Sequence, residues 1–282
     1  MRSPQLRASS SRGSMRSALA QVCLLSASAP EATFAPFTAS ALKLLRDAEA
    51  RLGAELQPYH VPAELRRCEG VMGRGEREQR VVLTAAGYSA SKLRHIRFAE
   101  ISGGPALQVL NFCIFPELEY GLPTFAADLV TLPGGHLIAI DCQPNALPLD
   151  SRGPLARAHA RHSSKLPDGG PIDGDAASFF SPYFLWTRLP LSMGAAELEA
   201  VLLPAFEEYL EVYLQMVAEA SPLTDEQTLE QVRAAQIKYS EYRVEKDPAR
   251  GMLTRLFGEE CTERLIQEVF FDLPLWLQRR EG

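Results

Sequence analysis

The 282-residue chain carries 29 Lys and Arg against 35 Asp and Glu. The resulting net charge of −6 argues against a nucleic-acid binder, which would need a net basic domain. Hydrophobic residues make up 46% and charged residues 23% of the chain, which is globular composition, and this length buries enough apolar surface to need no disulfide staples. No apolar run approaches the ~20 residues of a membrane helix.

Before Glu31 there is no acidic residue, while Arg2, Arg7, Arg12 and Arg16 stand among serines, as in an organelle transit peptide. Residues 1–35 are expected to be such a leader and residues 36–282 a single domain. The domain opens on a helix over 38–56, where Leu42, Leu45, Ala48 and Leu52 recur at helical spacing. After a Gly- and Arg-rich stretch come strands at 79–86, 93–101 and 106–115, with turns expected at Gly87–Tyr88 and Gly103–Gly104. Two β-rich runs, 126–132 and 136–141, flank Pro133-Gly-Gly135 and predict a hairpin. Residues 145–182 are rich in Pro, Gly, Asp and Ser and read as a long irregular connection. Helices follow at 194–219 and 224–246, the second opened by a Thr224/Gln227 capping box. Asp247–Pro248 breaks that helix; a short helix then runs to Gly258 and a final one covers 259–271. Strands first and helices after them predict an antiparallel sheet covered by helices.

Asp128 stands in the otherwise uncharged run Phe125–Leu132, on one strand face with Ala126, Val130 and Leu132. On a core face it would be desolvated, with a raised pKa, and able to hold a proton as a general acid must. On a solvent face it would be an ordinary surface aspartate. Asn111 interrupts another apolar strand, and if buried it needs hydrogen-bond partners from backbone, water or ligand. Along the late helix, Leu229, Val232, Gln236, Tyr239 and Arg243 share one face, so Arg243 continues an inward stripe where it could clamp a carboxylate. Asp247 follows at i+4. It reads as an N-cap for the next helix, as a partner for Arg243, or as an acid beside a ligand, and these do not exclude one another.

Other motifs are weaker. The five cysteines (Cys23, Cys68, Cys113, Cys142, Cys261) form no CxxC pair and read as free thiols. His136, His159 and His162 lack metal-site spacing, so no metal is expected. Basic residues cluster at Arg66, Arg67, Arg74, Arg77 and Arg80, and again at Lys238, Arg243, Lys246 and Arg250. Such clusters are solvated faces unless a partner is acidic.

Three segments carry a resemblance to a known family. The run from Leu107 to Pro144, with Asn111-Phe-Cys-Ile-Phe-Pro116, Gly121-Leu-Pro-Thr-Phe-Ala-Ala-Asp128 and Pro133-Gly-Gly-His136, resembles the ferredoxin-dependent bilin reductases. So do Ser181-Pro-Tyr-Phe184 and Tyr239-Ser-Glu-Tyr-Arg-Val-Glu-Lys-Asp-Pro-Ala-Arg250, and the likeness extends from about residue 40 to the C-terminus. The resemblance implies an α/β fold, a three-layer α/β/α sandwich with a central antiparallel sheet, and a bilin between the sheet and the C-terminal helices. It implies no bound cofactor: reduced ferredoxin is the external donor, giving one electron at a time, and protein carboxylic acids protonate the bilin radicals. The expected partners are thus ferredoxin and a bilin, with no nucleic acid and no membrane, for a monomer in the plastid stroma.

Carried over by position, Asp128 matches the family's central catalytic aspartate, and Asp247 matches the second aspartate used to reduce the A-ring diene. Asn111 stands where phycocyanobilin-forming members have a histidine, which points to the phycoerythrobilin and phytochromobilin branch. With the leader, the expectation is an algal member converting 15,16-dihydrobiliverdin to phycoerythrobilin, with Asn111 and Arg243 contacting substrate. Use of biliverdin instead, or a bilin carrier without catalysis, are the other readings.

Overall fold

The computed structural model describes residues 33–53, 55–172 and 174–281. The expected leader lies outside them as far as residue 32, and Cys23 with it. Helix α1 (Ala35–Leu52) opens the fold, three residues earlier than its periodicity suggests, with Pro36 in its first turn. The strands are β1 (Gln57–Pro58), β2 (Arg67–Met72), β3 (Gln79–Ala90), β4 (Leu93–Ser102), β5 (Gln108–Pro116), β6 (Thr124–Leu132), β7 (Gly135–Gln143) and β8 (Leu185–Leu189). They form one antiparallel sheet in the order β1-β3-β4-β5-β6-β7-β8, with β2 pairing β3 alongside β1. The remaining helices are α2 (Pro154–Ser163), α3 (Ala195–Glu219), α4 (Glu226–Lys246), α5 (Arg250–Phe257), α6 (Glu259–Arg264) and α7 (Leu273–Glu281). No helix among the described residues is long and apolar enough to cross a membrane.

Strand alternation builds the three layers. Phe98, Phe112 and Phe125 point to one face and are fully buried against Phe37 of α1 and Phe206 and Tyr213 of α3. Phe98 and Phe112 stack at 4.4 Å, and each buried ring contributes about 1.5–3 kcal/mol through area alone. The other face carries Leu83, Ala99, Ile101, Cys113 and Phe115 and packs on α4 to α6 and the π-helical turn Leu265–Phe270. The antiparallel sheet with helices on both faces is the expected α/β sandwich.

Several local expectations are corrected. Gly87 does not turn the chain: β3 runs on to Ala90, and the glycine sits in a crowded place, where a Cβ would lie 3.1 Å from both His95 Nε2 and Tyr59 Cβ. The Gly- and Arg-rich stretch begins inside β2, where Gly70 lets the strand lie against the Leu256 carbonyl of α5. Residues 145–182 contain α2 and a 3-10 turn at Gly174–Phe179, so they are only partly irregular. Ser181 ties this connection down by donating from N and Oγ to Asp141, whose carboxyl burial pushes up to about 6 despite those bonds. The N-cap of α4 is Asp225 rather than Thr224: its carboxylate accepts from both the backbone N–H and the hydroxyl of Thr228. The last segment ends in the π-helical turn and a further helix, α7, rather than one helix over 259–271.

The C-terminal layer is pinned by a buried ion cluster. Register slips between Leu93 and His95 against β5, and this bulge makes Arg94 the extra residue and brings its side chain to join His95. Arg94 Nη1 donates to Asp272 Oδ1 at 2.9 Å, His95 Nδ1 lies 3.3 Å from the same oxygen, and the Tyr59 hydroxyl donates to Oδ2. Burial alone would raise the Asp272 carboxyl, but Arg94, His95 and the Tyr59 bond outweigh it and hold the group well below the usual carboxylate range. Asp272→Asn leaves Arg94 buried without a counter-charge and is expected to cost about 3–5 kcal/mol, read as a lower urea midpoint at unchanged slope. A depressed folded-state carboxyl stabilises above its unfolded value and loses that only as acid titrates the folded group. The gap between wild type and variant should therefore stay flat from about pH 6 to 8.

Candidate active site

The register of β5 on β6 puts Asn111 directly across from Asp128. Both side chains leave the sheet on the face that meets the C-terminal helices, so the alternation reading of Asp128 with Ala126, Val130 and Leu132 falls on the core side. Asn111 Nδ2 donates to Asp128 Oδ1 at 3.1 Å. Opposite them, Arg243 in the last turn of α4 donates from Nη2 to Asp247 Oδ2 at 2.7 Å, and the backbone N–H of Ala249 donates to Asp247 Oδ1 at 2.8 Å. Asp247 is thus the partner of Arg243 but not the N-cap of the next helix. That position falls to Ala249, because Pro248 delays the restart, and Asp247 instead closes the turn before it. It is also buried, with 7% of its surface exposed.

These four residues line one cavity of about 250 Å³, open to solvent and otherwise apolar, with Ile101, Val130, Leu253 and Phe270 among its walls. The structure therefore gathers every residue the sequence singled out for chemistry. Burial pushes the Asp128 carboxyl above its ordinary value, opposed by the Asn111 hydrogen bond and by the charges of Arg243 and Arg97, and supported by Asp247. Burial works against the Arg243 charge, but Tyr239, Asp247 and Asp128 hold the guanidinium in its charged form. Such a cavity can keep a proton on a carboxylic acid beside an apolar ligand and offer a cation to a ligand carboxylate.

Arg97 behind the wall, and Phe270 and Phe271 in it, were not singled out by the sequence. Arg97 of β4 is buried at 1% exposure and hydrogen-bonds Asn111 Oδ1, the Phe270 carbonyl and, at 3.1 Å, Cys113 Sγ. Phe270 and Phe271, at the end of the π-helical turn, form the wall that Arg97 supports, with the guanidinium 4.8 Å from the Phe270 ring centre. The available signal was alternation: Arg97 shares its face with Ala99 and Ile101, and both faces of β4 are largely buried.

The remaining motifs have ordinary partners. His136 bonds Thr131 Oγ1 and the Met193 carbonyl, and His162 bonds Glu208. Among the described residues Cys68, Cys113, Cys142 and Cys261 are free thiols, and no cluster could hold a metal ion. In the early basic cluster Glu69 pairs with Arg67 and Arg80.

The chain resembles proteins of known family. The profile of the ferredoxin-dependent bilin reductases matches residues 45–272. The chain is 43% identical over 245 residues to the phycoerythrobilin:ferredoxin oxidoreductase of Nostoc punctiforme, covering 85% of this chain and 93% of that one. It is 47% identical over 236 residues to the protein of the same name from Gloeobacter violaceus, covering 81% and 91%. These relatives are cyanobacterial, where the leader led to the expectation of an algal protein. Among solved structures, tomato phytochromobilin synthase in complex with biliverdin superposes with a TM-score of 0.67 at 26% identity, covering 82% of this chain and 80% of that one. With a profile that spans most of the chain and relatives this similar over nearly their whole length, the chain belongs to the ferredoxin-dependent bilin reductase family.

Proposed function

We propose that this chain takes electrons from reduced ferredoxin to reduce the A-ring diene of 15,16-dihydrobiliverdin, giving phycoerythrobilin. The observation that carries the reading is the placement of two carboxylates, Asp128 and Asp247, on opposite walls of one apolar cavity in a member of this family. The names of the Nostoc and Gloeobacter relatives support the product. The conversion takes up two electrons, delivered singly by two ferredoxins, and two protons. In this reading Asp128 supplies one proton from the sheet side and Asp247 the other from the helix side. Arg243 binds a bilin carboxylate, and Asn111 holds Asp128 in place. The acid-free leader supports work in a plastid stroma, where acidic ferredoxin would meet the basic residues around α4.

Biliverdin as the starting bilin is a second reading, favoured by the biliverdin bound to the tomato neighbour. Anaerobic incubation with ferredoxin and each bilin in parallel, with products resolved by chromatography, separates the two. Conversion of dihydrobiliverdin alone supports the first reading, conversion of biliverdin the second, and a stable coloured complex with no product would leave only a carrier. Asp128→Asn should slow turnover at least about 100-fold, the share a positioned acid supplies, and prolong a radical visible by electron paramagnetic resonance. Wild-type kinetics in that variant would reduce Asp128 to a structural residue. Asp247→Asn should still bind bilin, seen as an absorbance shift, yet yield no A-ring product. Full turnover would remove Asp247 from the chemistry.

A further inference from the structure

Arg97 differs from its neighbour Arg94. Arg94 has a carboxylate, Asp272, at 2.9 Å. The acceptors of Arg97 are the Phe270 carbonyl, the Asn111 amide oxygen and the Cys113 sulfur. In that network the acid is Asp128, one amide away through Asn111. A guanidinium only donates, so the Asn111 atom facing it must be oxygen and the atom facing Asp128 must be Nδ2. Asn111 is therefore not free to flip. It occupies Asp128 Oδ1 as an acceptor and leaves Oδ2 for a proton.

We propose that Arg97 is the positioning residue of the site: it locks the Asn111 amide, directs the acidic proton of Asp128 to Oδ2, and supplies the buried charge that lets Asp128 give that proton up. The inference rests on Asp128 being the proton donor. The charged and titratable groups facing Asp128 are Arg97 from β4, Cys113 from β5, Arg243 from α4, and Asp247 just past the end of that helix. Only the first is changed in the Arg97 variants below.

The test is the pH dependence of ferredoxin-driven bilin turnover in wild type, Arg97→Met, Arg97→Lys, Asn111→Leu and Asp128→Asn, with bilin affinity measured by absorbance titration. A donor must be protonated, so turnover falls as pH rises through the Asp128 pKa. Arg97→Met removes a cation that favours the carboxylate. Its alkaline limb should move up by about one pH unit, and its plateau should fall about tenfold as the amide loses its lock. Arg97→Lys keeps the charge without the planar fork, so its limb should stay while its plateau falls. If the methionine variant does not fold, Arg97→Gln, which is neutral but can still donate to the Asn111 oxygen, carries the test, and its limb should also move up. Asn111→Leu removes a donor to the carboxylate directly and is the control showing that the limb responds to the surroundings of Asp128. A purely structural Arg97 would change affinity or melting temperature and leave the limb unmoved in Arg97→Met and Arg97→Gln, which would overturn the proposal. Asp128→Asn separates this from failure of the parent reading. A limb that survives in Asp128→Asn belongs to another group and sinks both, whereas a limb lost there but unmoved in the neutral Arg97 variants sinks only the role of Arg97.

Discussion

Two guanidinium groups buried on one strand set the terms for the C-terminal layer. Arg94 and Arg97 of β4 are 2% and 1% exposed, and a charge left unpaired at that depth costs several kcal/mol. The chain after α6 must therefore return to the sheet bearing acceptors. It does so with the Phe270 carbonyl for Arg97 and the Asp272 carboxylate for Arg94, two residues apart. The π-helical turn from Leu265 to Phe270 puts the extra residue into this return, and turns of that kind recur at functional sites. Because Phe270 bears one anchor and Phe271 lies between the two, the position of the cavity wall follows from the pairing of charges under it.

The same cations shape what the cavity can do. An acid facing an apolar space gains proton affinity from desolvation, and left alone it would hold its proton too firmly to donate near neutral pH. Arg97 and Arg243 oppose that desolvation from the sheet side and the helix side. A ligand that accepts an electron before a proton gains negative charge, and fixed cations around an apolar cavity stabilise such charge more than water-exposed ones would. The proposed reaction needs both effects at once, and one arrangement of buried charge serves both.

Much of this was legible in the sequence, for identifiable reasons. The central strands and the hairpin at Pro133-Gly-Gly135 followed from period-two patterning, and Asp128 was conspicuous because charge is rare in such runs. The meeting of Asn111 with Asp128 was not legible, since register is a relation between strands and no single strand encodes it. β1, β2 and β8 are short edge strands whose pairing comes from tertiary context. Gly87 misled because a glycine in a crowded strand looks the same in sequence as one demanded by a turn. Arg94 and Arg97 escaped notice because arginine in a strand reads as a solvent-facing residue. Their burial depends on Phe270 to Asp272, more than 170 positions away.

Asp247 shows how a structural role and the proposed chemical one can share a residue. Its two oxygens are both in use, one accepting from Arg243 and the other from the Ala249 N–H. The bond from Ala249 explains why an aspartate stands before Pro248 at all, and that turn alone would suit an exposed stretch of chain. This one is buried against a cavity and tied to a cation that is itself partly open to that cavity. A ligand carboxylate arriving at Arg243 meets a guanidinium already paired with Asp247, so ligand and protein carboxylate must share one cation. The backbone N–H of Ala249 meanwhile keeps the Asp247 carboxyl in place beside the cavity. One side chain at the helix break thus ties the geometry of the chain restart to the site where the ligand is held.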